Sequence, residues 1–240
     1  MTSAVAPSAL QPPESGRWPL FGWLAFLFLI ASQAISIVIS SPDRDMGHLQ
    51  KILYIHVPAA WIMGICYLLV ALYSFRYLWK RDERDDLKAA SAAEVGAVLN
   101  ALTLALGMIW GRPAWGVWWA WDARITSTLI MFLIFAGYLA LRAFVDEPER
   151  RAQWSAAAGI FGAINYPIVY MSVRWWRTLH QVQSTPGTMD PEYTLSLRLN
   201  AFAILFIAIF FIRRRYEAAL TERVAEHELQ AVALGGSIRG

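Results

Sequence analysis

Six apolar stretches, uncharged but for Glu94 and Arg198, recur along the chain between short polar connections, over about 20–40, 57–75, 92–110, 125–141, 152–173 and 194–212. A helix of roughly twenty apolar residues crosses a hydrocarbon core of roughly 30 Å. Backbone groups inside that core must be satisfied within the segment, which favours helices. The pattern predicts an all-α integral membrane bundle of six transmembrane helices. The first stretch, LFGWLAFLFLIASQAISIVIS, exceeds a signal-peptide core, and SPDRD after it is no small-residue cleavage site, so it reads as a retained span. Three regions follow. Residues 1–18 are Pro-, Ser- and Ala-rich and are expected to be disordered. Residues 19–213 form the membrane domain. Residues 214–240 form a tail, whose run IRRRYEAALTERVAEHELQ reads as a basic stop followed by an interfacial or solvated helix.

Composition agrees: 57% of residues are hydrophobic, 16% are charged, and mean hydropathy is +0.40. The net charge of +3 matters through its placement across the loops, and it does not point to nucleic acid. Lys and Arg number fourteen in the N-terminus, the 76–88 and 142–151 loops and the tail, against seven in the 41–51, 111–124 and 174–198 segments. That bias puts both termini in the cytoplasm and the odd-numbered loops on the outer face. Cys66 is the single cysteine and lies in an apolar run, so it makes no intrachain disulfide or CxxC pair.

Chemistry concentrates on that outer face. Loop three carries WGRPAWGVWWAWDAR, with five of the twelve tryptophans: Trp110, Trp115, Trp118, Trp119 and Trp121. An aromatic belt explains one or two tryptophans per span end, as at Trp18, Trp61, Trp79 and Trp154, but five within twelve residues only poorly. A helix over 115–122 would stack Trp115 on Trp119 and Trp118 on Asp122 at i,i+4. The glycines and Pro113 allow the segment to lie flat along the interface instead. Either arrangement offers a broad aromatic platform.

Two histidines share this side. Pro58 suits the first turn of a helix, which places His56 at or just before that helix's N-terminus. His180 follows Trp176 by four residues and Arg177 by three, so a continuing helix would group them. A lone histidine near a span end is usually an interface residue. Two imidazoles across a gap, without a Cys or carboxylate cluster, do not make a closed zinc site. They suit the two axial positions of a haem iron. Arg112, Arg124, Arg174 and Arg177 either flank spans or pair with the propionates of such a ligand. Asp122 is expected to orient an indole N–H or to pair with Arg124 or Arg112. His48, in the polar run DRDMGHLQK, is a weaker candidate and reads as solvated, and His227, among charges in the tail, receives no role.

At these residues the chain resembles a known family. WGxPxWGxWWxWDxR followed by Ile-Thr-Ser is similar to the signature of the tryptophan-rich (WWD) haem-handling superfamily of cytochrome c biogenesis. IHVPAAW and SVRWWRTLHQ resemble the histidine motifs of its haem exporter protein C (CcmC) members, from about Lys51 to Arg198. The resemblance implies a protein of the bacterial inner membrane that binds haem b (iron protoporphyrin IX) as a transferred ligand at the periplasmic face. It implies delivery to a membrane-anchored periplasmic haem chaperone (CcmE-like). A small single-span protein (CcmD-like) and ABC permease and ATPase subunits (CcmB- and CcmA-like) are the implied partners, beside membrane lipid. His56 and His180 match the axial-ligand histidines, and 110–124 matches the haem-binding segment, with Trp115, Trp118, Trp119, Trp121 and Asp122 on its characteristic positions.

No GxxxxGK[ST] occurs, nor HExxH, GxSxG or CxxCH, so this chain is not expected to hydrolyse ATP or act as an enzyme. The alternatives are an ABC-type permease subunit moving haem or another substrate, and a haem-attachment synthase, the latter disfavoured by length. Within the spans, Glu94 near the inner boundary can snorkel or pair. Gln33, Asn100 and Asn165 are expected to bond between helices, and Asn165-Tyr166-Pro167 to kink span five.

Overall fold

The computed structural model describes residues 10, 18–180 and 189–237, with side chains of the last helix through Val232. The expected disorder of 1–18 concerns residues that lie largely outside this set. Seven α-helices follow in order: α1 Trp18–Ile39, α2 Leu53–Lys80, α3 Glu83–Trp115, α4 Ala123–Phe144, α5 Pro148–Ala163, α6 Asn165–Trp175 and α7 Pro191–Ser237. A 3-10 turn, His48–Ile52, leads into α2. With α5 and α6 taken as one stretch, six helical segments among the described residues are long and apolar enough to cross a membrane. The chain is a multi-pass membrane protein. Among the described residues the nearest approach to a strand is an isolated bridge, Asp43–Gly47.

Helix ends fall where side chains can satisfy the first free N–H groups. Asp82 caps α3 through Arg84 N at 2.9 Å, Asp122 caps α4 through Ile125 N at 2.8 Å, and Glu147 caps α5 through Arg150 N at 2.9 Å. Apolar runs alone understate the helices, because α2, α3 and α7 continue into charged sequence. At 33 residues, α3 is about 50 Å long, well beyond the hydrocarbon core. The tail is not a separate element: α7 runs unbroken for 47 residues, about 70 Å, through the basic stop. Ion pairs along it explain the continuity. Arg215 bonds Glu94 of α3, while Arg213 and Arg214 both reach Glu217. Further out, Arg223 and His227 lie 3.9 and 3.5 Å from Glu83.

The core is centred on α2, which packs along α3, α5 and α7. Tyr67 stacks on Phe135 with ring centroids 3.7 Å apart, and Met63, Val70, Met131 and Tyr138 fill the space around them. Polar residues within spans are bonded between helices as expected. Gln33 donates to Asn200 at 2.6 Å, Asn100 to the Tyr67 hydroxyl at 3.2 Å, and Asn165 to the Ser127 carbonyl at 2.8 Å. Span five breaks at Ile164, just ahead of Asn165-Tyr166-Pro167. Beyond the break α6 lies mainly against α4. At one end of the bundle Arg213 sits 5.5 Å above the Trp18 ring. At the other, the Tyr193 hydroxyl donates to the Ser41 carbonyl at 3.1 Å, and the odd-numbered loops meet there.

Candidate functional site

The 3-10 turn moves the start of α2 upstream of Pro58. His56 is therefore the fourth residue of α2, inside the helix and not ahead of it, and Pro58 is an internal proline. Leu53, His56, Val57, Ala60 and Met63 recur at helical spacing and turn one face of α2 toward a common cavity. The facing surface of α3 is built from Thr103, Gly107 and Trp110. The His56 ring lies directly over Gly107, where a Cβ would come within 3.2 Å of His56 Cε1. His56 Nδ1 is buried without a hydrogen-bond partner among the described residues, and His180, the Thr103 backbone and Arg124 are close enough to act on the ring.

Loop three does not form a helix over 115–122. Instead α3 ends at Trp115, where Gly116 takes φ +77° and its N–H bonds the Arg112 carbonyl at 3.0 Å. Glycine is the residue that reaches this left-handed conformation without steric cost. The Arg112 guanidinium bonds back to the Gly116 carbonyl and fastens the turn. The turn folds the tryptophans over the cavity. Trp110 meets Trp115 edge-on at 5.4 Å, and Trp115 meets His180 at 6.1 Å with a 61° angle between rings. Trp118 and Trp119 continue along the wall in non-helical backbone. Trp121 packs edge-on against Trp119 but is 76% exposed and lies outside the lining.

Loop five also departs from the helical expectation. Because α6 ends at Trp175, residues 176–180 are non-helical and do not group Trp176, Arg177 and His180 on one face. Arg174, Trp175, Trp176 and Arg177 are exposed and outside the cavity lining, while His180 returns to it. Gln181 at the end of the SVRWWRTLHQ motif lies outside the described residues. Asp122 takes neither expected partner. One carboxylate oxygen caps α4, and the other accepts the Thr178 hydroxyl at 2.5 Å and the Leu179 N–H at 3.1 Å.

The resulting cavity has a volume of about 990 Å³. Of the twelve candidate residues, His56, His180, Trp110, Trp115, Trp118, Trp119 and Arg124 line it; Arg112, Trp121, Asp122, Arg174 and Arg177 do not. Its wall carries buried polar atoms without hydrogen-bond partners among the described residues: His56 Nδ1, Trp110 Nε1, Trp119 Nε1 and Arg124 Nη1. Both indole groups and the guanidinium can only donate. Such a wall asks for a ligand that accepts hydrogen bonds or carries negative charge. The lining also includes Asp43, Asp45, Asp190 and Arg198. Among the described residues no three of His, Cys, Asp or Glu gather as a metal site, so the nitrogen donors available are the two imidazoles.

Several contributors carry no motif. Gly107 and Thr103 could have been found from the i,i+3 and i,i+7 spacing that places them on the helix face of Trp110, and Thr178 only from its place in SVRWWRTLHQ. Tyr166 and Tyr170 enter the lining because α6 changes direction at Ile164.

Comparison with known proteins bears on all of these motifs. The family model described as "Heme exporter protein C" matches residues 2–231. The chain belongs to that family. Its similarity extends to Heme exporter protein C of Bradyrhizobium diazoefficiens, 37% identical over 203 residues, covering 81% of this chain and 77% of that one. The Escherichia coli K12 family member is 34% identical over 206 residues, covering 82% and 83%. That of Paracoccus denitrificans is 37% identical over 182 residues, covering 73% and 76%.

Proposed function

We propose that this chain takes part in haem export for cytochrome c maturation, holding haem b at the periplasmic face of the inner membrane and passing it to a periplasmic haem chaperone. The reading rests above all on one arrangement: His56 and His180 line the same cavity as five tryptophans and Arg124, whose Nη1 has no partner among the described residues. Its volume is near the upper end of the roughly 300–1,000 Å³ usual for small-molecule sites.

The residues present suit the group. Imidazole nitrogens serve as axial ligands to haem iron, and indole faces suit a flat aromatic macrocycle. Arg124 and the indole N–H groups would receive propionate oxygens, charge-assisted at the guanidinium. His56 sits over Gly107, whose missing side chain leaves room for the ring at the cavity wall. Haem is cargo here, so the ligands must hold it without retaining it. Iron supplies the bond that keeps the macrocycle in place; the chain supplies orientation and a partly apolar wall. We assign no enzymatic step to the chain, and ABC permease, ATPase and small single-span subunits are its proposed partners.

Passage of haem through the bundle, as a permease subunit would require, is less favoured. Below the cavity, Tyr67, Met131, Phe135 and Tyr138 are at most 1% exposed and fill the bundle axis. Capture at one face needs no path through them. The test is the visible spectrum of the chain purified in detergent and titrated with haem. A Soret band of a six-coordinate, two-histidine complex is expected, altered in His56→Ala and in His180→Ala. An unshifted band in both variants rejects the reading.

A further inference from the structure

The non-helical segment 176–180 has no intrahelical ladder to set the direction of His180, yet His180 lines the cavity. What fixes it is a short relay of hydrogen bonds. The Thr178 hydroxyl donates to Asp122 Oδ2 at 2.5 Å, and Leu179 N–H donates to the same oxygen at 3.1 Å. Thr178 Oγ1 in turn accepts the His180 N–H at 3.0 Å. Asp122 is itself immobilised, since its other oxygen caps α4 through Ile125 N at 2.8 Å. The end of a rigid helix is thereby tied to the backbone of the histidine.

We propose that Thr178 and Asp122 are positioning residues that latch His180 into the cavity and hold it in register with the tryptophan segment. Neither side chain lines the cavity, so their action runs through the His180 backbone and not through ligand contact. Thr178 is the pivot, because a hydroxyl can donate to the carboxylate and accept the amide at once. A hydroxyl-free side chain of the same shape breaks both bonds. Releasing the latch frees His180 while leaving His56 in place, which is what a handover of cargo requires. That consequence rests on the haem reading; the latch itself does not.

The test has two arms on the same detergent-purified chains: wild type, Thr178→Val, Thr178→Ser and Asp122→Asn. In the first arm, without haem, amide exchange across 176–180 is measured. Thr178→Val and Asp122→Asn are expected to speed it about fivefold, the worth of a typical net hydrogen bond, and Thr178→Ser to restore protection. In the second arm, with haem added, Thr178→Val is expected to show the His180→Ala spectrum, with Thr178→Ser again rescuing and added imidazole restoring six-coordination. Equal exchange in wild type and Thr178→Val, or a wild-type spectrum in Thr178→Val, overturns the latch. Normal protection in wild type, its loss in Thr178→Val and no haem uptake by any chain would uphold the latch and reject the haem reading alone.

Discussion

Gly107 of α3 and His56 of α2 meet closely: a Cβ on Gly107 would lie 3.2 Å from His56 Cε1 and 3.9 Å from Nδ1, so an added methyl group would press the ring aside. Glycine in mid-helix costs roughly 1 kcal/mol relative to alanine, so its presence here trades helix propensity for access to the ring. Gly107→Ala is therefore expected to leave the thermal midpoint in detergent unchanged or raised while weakening haem ligation. Pushing an imidazole off its rotamer costs about 0.5–1.5 kcal/mol, which is up to roughly tenfold in affinity. Parallel melts and haem titrations check both signs; a variant that is less stable yet binds normally contradicts the trade.

The indole N–H of Trp119 is buried, lines the cavity and has no partner, whereas Trp121 is exposed beside it. Trp119→Phe keeps an aromatic face and deletes the donor. Haem affinity is expected to fall by about fivefold, the value of one net hydrogen bond of about 1 kcal/mol. Trp121→Phe should bind as wild type. Equal losses in the two variants would mean the segment acts as a belt, without a directed donor.

Asn200 of α7 has no exposed surface and uses its full amide. Its oxygen accepts from Ser32 at 2.9 Å and Gln33 at 2.6 Å, and its nitrogen donates to Ser36 and the Ser196 carbonyl. Asn200→Ala strands the α1 partners inside the bundle. A loss of about 1–2 kcal/mol is expected, the scale of interhelical hydrogen bonds in model membrane peptides. The thermal midpoint reports it, and the spectrum of bound haem should not move, because Asn200 is not part of the cavity wall.

Arg142 of α4 grips Asp86 of α3 through both guanidinium nitrogens at 2.6 and 2.9 Å, and both side chains are largely buried. Removing one partner leaves a buried charge uncompensated. Arg142→Ala is expected to destabilise by about 3–5 kcal/mol, and the double replacement with Asp86→Ala by clearly less. A double-mutant cycle on detergent melts measures this, and a strictly additive result refutes a direct pair.

The amino-acid pattern by itself determined the six crossings, the shared side of the odd-numbered loops, and the pairing of two histidines with a tryptophan-rich segment. Those features are local: a run of apolar residues is driven into the bilayer wherever the rest of the chain goes, and loop sides alternate with each crossing. Only the tertiary structure decided which candidates face the cavity. Gly116 ends α3, so Trp118 and Trp119 reach the cavity wall while Trp121 does not, and the end of α6 at Trp175 leaves Arg174 and Arg177 outside. Asp122 finds Thr178, some fifty residues away, in place of an indole or an arginine. The reason is that side-chain direction depends on where helices stop and how they are rotated against one another. Those choices are set by contacts between distant residues, which no window along the chain contains.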